Sequence, residues 1–323
     1  MPGNDSLRAK AMVEGAIAAA LATVLAMIGY YLPPLSVIVS LVWFIPIVMV
    51  IVRQNMYWGV MSLVVTAIVL MMMTHPIRGL IIILQMGFVA LVYGQGFKKH
   101  WPAGKIILLG GLAVVISTLL VIGLSALALG INIGEWQQEM TDQMENSLDF
   151  YRQAGLINER TVSEEELRAS MQQFISFFGL IIPGVLVSGS LLTAMVNFLI
   201  VRLILKRTGF EVKPIPPFRE WQLPWYFIWG IIGGLGLMLI GDYFGSTLAE
   251  RIAINVLYIY FPILVISGLS VATYFYHRLE LPRWLKIVII ILLVMYLPFG
   301  VMLISTLGLF DPFFNYRRLG VKY

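Results

Sequence analysis

The sequence predicts an all-α, polytopic membrane bundle of about nine spans. Three observations carry that prediction. Of 323 residues, 59% are hydrophobic and only 12% are charged, about half the charged share of an ordinary soluble domain. Several apolar runs reach the ~18–20 residues that cross a bilayer as a helix. These runs lack the alternation of barrel strands, and only helices or closed barrels satisfy their backbone amides inside lipid.

The first span covers about residues 11–30 and ends at "YYLPPL". It is unusually rich in alanine. At 100° per residue, Ala11, Gly15, Ala18, Ala19, Ala22 and Ala26 share a stripe about 100° wide. Small residues let helix backbones approach closely in lipid, so this face expects a helical neighbour from the same chain or from another subunit. Val13, Ile17, Leu21, Val24 and Leu25 cover the other side, together with Glu14. An acid in the first turns suits the positive end of the helix dipole, and Lys10 is one turn away.

Further spans are expected at about 35–52, 57–73, 77–92 and 106–131. Residues 132–172 then form a polar excursion with nine acidic residues against three arginines. It has a net charge of −6, which leaves +11 for the rest of the chain. Trp136, Met140, Met144, Leu148 and Tyr151 recur at helical spacing. In "VSEEEL", Ser163, Glu166, Val162 and Leu167 are placed as N-cap, capping-box acid and hydrophobic staple. The excursion therefore reads as an extracytoplasmic helical hairpin. Its second helix continues into a long sixth span, about 174–205. A basic, aromatic, proline-rich linker, 209–226, follows. Three last runs are expected at about 227–241, 252–276 and 285–309. Gly230 with Gly234, and Gly241 with Gly245, have the spacing of close helix packing.

Lys and Arg in short loops set orientation. With the N-terminus cytoplasmic, Arg8, Lys10, Arg53, Lys98, Lys99, Lys105, Arg202, Lys206, Arg207, Lys213, Arg278, Arg283 and Lys286 all fall inside. The acidic excursion falls outside. A ninth span breaks the pattern, because it puts Arg317, Arg318 and Lys322 outside. Either this tail is a genuine exception or one late segment is re-entrant, and Pro262, within the eighth run, could allow a kink or a break.

The chain has no cysteine, which excludes disulfides and thiolate chemistry. It has no HExxH, GxSxG or P-loop pattern, and His75, His100 and His277 fall in separate loops. No catalytic residue, metal site, cofactor or nucleic-acid partner is expected, and the chain does not read as an enzyme. The polar residues nearest span centres are Gln85, Ser117, Thr118, Ser188, Ser190, Thr193, Asn197 and Asn255. Such groups bridge helices or line a cavity. At the outer turns, Tyr30, Tyr31, His75 and Arg78, joined by Trp136 and with Asn197 deeper, could frame a pocket. Arg78 would suit a carboxylate or phosphate.

The order of these features resembles the substrate-binding S-components of energy-coupling-factor transporters over about residues 7–207. The alanine-rich first helix is followed by "YYLPPL", by "WFIPIVMVIV" ending at an arginine, by an "HP" turn and by a basic loop. The whole chain is identified as a member of the YybS-type bacterial membrane proteins. That resemblance rests on "PPFREWQLP" and "GLFDPFFNYRRL", and it implies a cell-membrane location with no assigned activity. The S-component likeness implies a six-helix core at 1–208, with 227–323 as a three-span addition. It implies a vitamin-like ligand bound from outside. It also implies that Gly15, Ala18, Ala19, Ala22 and Ala26 dock on a membrane coupling subunit that works with ATPases. The other expectation is a non-transporting scaffold or assembly factor that binds another membrane protein. Membrane lipids are partners in either case.

Overall fold

The computed structural model describes residues 4–129, 141–147, 149–150, 164–280 and 282–319. All described secondary structure is helical. Nine stretches among these residues are long and apolar enough to cross a membrane. Close contacts divide the chain into two compact units. The first is Met1–Met171 with Gly189–Lys213, and the second is Gln172–Ser188 with Pro214–Tyr323. The sequence-based boundary near residue 208 thus moves to Lys213, and one internal segment goes with the C-terminal unit.

The first unit contains α1 (Asn4–Tyr31), α2 (Ser36–Ser40), α3 (Ile45–Arg53), α4 (Met56–Met73), α5 (Pro76–Lys98) and α6 (Ala103–Leu129). A helical stretch at 141–147, α7, and the inner part of α8 (Glu164–Arg207) complete it. The second span is one membrane-length stretch, Pro33–Arg53, as expected, with tight turns between α2 and α3. Pro46 opens α3, and proline cannot accept the preceding turn as a continuous helix. α3 is the centre of the unit, with Ile47, Val48 and Ile51 fully buried. It packs on α1, α4 and α5. The three residues are apolar at helical spacing, so no polar group is stranded by that burial.

α8 is described from Glu164 onward, within the expected capping pattern. Ser163 itself lies outside the described residues, as do Trp136, Met140, Leu148 and Tyr151. Within the excursion, Met144 is buried and Arg168 Nη1 donates to Glu145 Oε1 at 3.2 Å.

The second unit contains α9 (Ile228–Phe244), α10 (Thr247–Arg278), α11 (Arg283–Met295), α12 (Leu297–Phe314) and residues 172–188 of α8. α9 and α10 form an antiparallel hairpin: Gly234 faces Leu257, and Gly241 faces the Glu250 backbone. The expected close packing is present at Gly230, Gly234 and Gly241, whereas Gly245 is the left-handed cap that ends α9. α10 and α12 approach through Gly268 and Gly308, where an added Cβ would meet the Ile304 and Leu264 carbonyls. Pro183 lies within α8, which continues past it. The Asn255 amide bridges the turn around it, donating to Leu180 O at 2.9 Å and accepting from Gly184 N at 2.6 Å. Asn255 therefore bridges helices, and Pro262 lies inside an unbroken α10.

The last apolar run also departs from expectation. It is two helices, α11 and α12, broken at Tyr296 (φ −103°, ψ 53°) just before Pro298. α11 has 13 residues, about 20 Å of helix, and none of them is buried. The linker between α8 and α9 forms two short 3-10 turns, Phe218–Glu220 and Trp225–Phe227.

Candidate functional site

The first candidate is the small-residue face of α1. Gly15, Ala18, Ala19, Ala22 and Ala26 are all buried, and Ala22 is 0% exposed. α3 and α4 of the same unit cover α1. Ser62 Oγ donates to Gly15 O at 3.0 Å, and Thr66 Oγ1 reaches Ala19 O at 3.4 Å. Each hydroxyl proton is shared with the carbonyl one turn back in α4, at 2.8 Å. These serines and threonines need no water, because helix carbonyls accept a second hydrogen bond. The expected close neighbour is present, and it belongs to this chain. The face is therefore covered within the chain. The outward side of α1 is the bulky one: Val13, Ile17, Leu21 and Val24 are all more than half exposed.

Glu14 has a specific partner in place of Lys10. Gln54 Nε2 donates to Glu14 Oε2 at 2.8 Å, and Lys98 Nζ donates to Gln54 O. α1, the α3–α4 turn and the end of α5 are joined through one glutamine. Beside this tie, an open cleft of about 800 Å³ is lined by Leu7, Arg8, Met12, Asn55, Tyr57 and Trp58 among others. It lies at the opposite end of α1 from Tyr30 and Tyr31.

The outer-turn residues are partly assembled. Arg78 Nη1 donates to Tyr30 OH at 2.8 Å, and its guanidinium lies 5.9 Å from the centre of the Tyr30 ring. Tyr31 meets Tyr30 edge-on at 4.9 Å. His75 caps α5, its Nδ1 accepting from Ile77 N at 3.4 Å. Arg78 and His75 are exposed, so the four residues make an aromatic and cationic ledge. Trp136 lies outside the described residues. Asn197 is not on this ledge. It is fully buried between α8 and α5, its Nδ2 3.7 Å from Met86 Sδ. Met86 lies eight residues along α5 from Arg78, about 12 Å deeper.

The most heavily built polar cluster is one that the sequence reading placed elsewhere. A ninth span would leave Arg317 in an outlying tail, yet it turns back to meet Asp311. Their side chains are fully buried and paired at 2.6 Å. Arg317 Nε and Nη2 grip the two Asp311 oxygens at 3.2 and 2.6 Å. Nη1 donates to Ser270 Oγ at 2.7 Å and Arg219 O at 2.8 Å, and Nη2 also donates to Trp221 O at 2.8 Å. A guanidinium has five N–H donors, and all five are used. Tyr274 OH donates to Arg317 O at 3.1 Å, and Arg278 Nη1 donates to that Tyr274 oxygen at 2.8 Å. Asn315 and Arg318 adopt positive φ, 42° and 49°, which turns the tail back toward α10. The only hint in sequence is an acid and an arginine six positions apart at the end of an apolar run.

This cluster joins the two segments on which the YybS-type resemblance rested. Over residues 20–312 the sequence matches the family described as "Predicted membrane protein (DUF2232)". The chain belongs to that family. It is also 24% identical over 315 residues to "Uncharacterized protein YybS" of Bacillus subtilis (strain 168), covering 96% of this chain and 98% of the relative. No solved structure matches. The YybS-type identification thus holds over nearly the full length. The likeness to S-components is in neither match and rests on sequence features alone.

Proposed function

We propose that this integral membrane protein is a non-transporting scaffold that binds another membrane protein. One observation carries the choice. The S-component reading needs the Gly15–Ala26 face free for a coupling subunit, and α3 and α4 of the same chain fill it. A protein using its small face internally offers partners its bulky faces instead. The exposed side of α1 and the mostly exposed α11 are such faces.

The test is purification from its native membrane in several mild detergents, followed by mass spectrometry of proteins and small molecules. A membrane protein retained at fixed stoichiometry, without ATPases, is the expected result. Recovery of a coupling subunit with its ATPases, or of a vitamin-like molecule, overturns it.

A solute-binding transport component is the second reading, and the ledge of Tyr30, Tyr31, His75 and Arg78 favours it. An exposed guanidinium backed by a phenol suits a ligand carboxylate. Under that reading Arg78→Ala abolishes ligand retention, whereas under the scaffold reading it leaves partner recovery unchanged.

A further inference from the structure

We infer that the C-terminal tail lies on the same membrane face as the linker before α9. The last apolar run is then a hairpin that enters and leaves the membrane by that one face. The inference does not depend on the partner proposed above.

Both ends of the run are pinned. At its start, Lys286 Nζ donates to Tyr276 O at 2.7 Å, which holds the base of α11 at the C-terminal end of α10. α10 returns to the face from which α9 departs, because the two helices are antiparallel from Gly234–Leu257 to Gly241–Glu250. At the far end, Arg317 donates to the linker carbonyls of Arg219 and Trp221, both at 2.8 Å. Contacts of that length cannot be made across a hydrocarbon layer of about 30 Å.

The backbone permits the return. Tyr296 breaks the run, Pro298 cannot extend the preceding helix, and Gly300 comes against the Leu293 backbone. α12 packs along α10 at Gly268 and Gly308, so the returning arm has a partner inside the unit.

The charge pattern agrees independently. A single crossing places Arg317, Arg318 and Lys322 opposite every other short-loop cation cluster. A hairpin places them with those clusters, and the positive-inside bias then extends through the whole chain.

The chain has no cysteine, so single cysteines report on faces directly. Gln222→Cys marks the linker, Phe244→Cys the far end of α9, and Tyr323→Cys the tail. Each full-length variant is treated, in sealed vesicles of known orientation, with a maleimide that does not cross membranes. The expected result is Tyr323→Cys labelled from the same face as Gln222→Cys, with Phe244→Cys labelled from the other. Labelling of Tyr323→Cys together with Phe244→Cys, or from both faces, overturns the hairpin. Should Tyr323→Cys fail to accumulate, a cysteine appended after Tyr323 makes the same comparison.

Discussion

The two units solve the problem of helix association in lipid by different chemistry. In the first, α1 meets α3 and α4 through glycine and alanine, and hydroxyls from Ser62 and Thr66 rest on backbone carbonyls. Dispersion contacts and shape hold that interface. In the second, glycines also allow α10 and α12 to approach, but a buried ion pair and an inserted amide fix the arrangement. Close packing of small residues tolerates a modest shift. A buried arginine with all five donors engaged does not, because each lost bond strands a polar group. The second unit is thus more specific in geometry and more fragile to a single polar change.

The largest effect should come from removing one ion of the buried pair. Arg317→Ala leaves the Asp311 carboxylate buried and unpartnered, and breaking such a pair costs about 3–5 kcal/mol. Thermal melting in detergent, followed by near-ultraviolet circular dichroism, should show the second unit melting well before the first. A Tm equal to that of the parent protein would dissolve the contrast between the units. Arg317→Lys sharpens it, since a point charge cannot serve two oxygens and three further acceptors. It should recover little of the loss.

Next comes the Pro183 turn. Asn255→Leu keeps the bulk and removes the amide that serves Leu180 O and Gly184 N. The expected loss is about 1–3 kcal/mol, read as faster amide exchange around residues 180–184. Protection unchanged from the parent would show that the helix closes this turn by itself.

Ala22→Leu tests the first unit. Ala22 has no exposure, and added bulk in a packed interface costs about 1–3 kcal/mol. The same change on the outward side, Val13→Leu, should be within error in melting experiments. If Ala22→Leu is also silent, α1 does not pack as described. Glu14→Gln should be the smallest of the set, at about 1 kcal/mol. It keeps a partner for Gln54 Nε2 and loses only the charge, and the same melt would detect it.

Much of the first unit was legible in the sequence. The alanine stripe gave the buried face of α1. That is a local, periodic signal. The tight turns within the second span were less visible, although Pro46 marks them, because hydropathy averages over a proline. The ledge was half legible: Tyr30 and Arg78 meet, yet Asn197, expected to share their pocket, is buried against Met86. Polarity along a helix does not tell which way a side chain is directed.

By itself, the sequence determined that this is a helical membrane protein, where most spans run, and which face of α1 is small. Those properties follow from composition and from periods of 3.6 residues, which any stretch of chain carries. Only the tertiary structure decided whose helix fills that face, and that Asp311 and Arg317 form a buried pair closed by Ser270 and two linker carbonyls. The physical reason is the range of the contact. Arg317 is 98 residues from Arg219 and 47 from Ser270, and no local pattern announces that an apparently exposed tail arginine will find all its acceptors inside the fold.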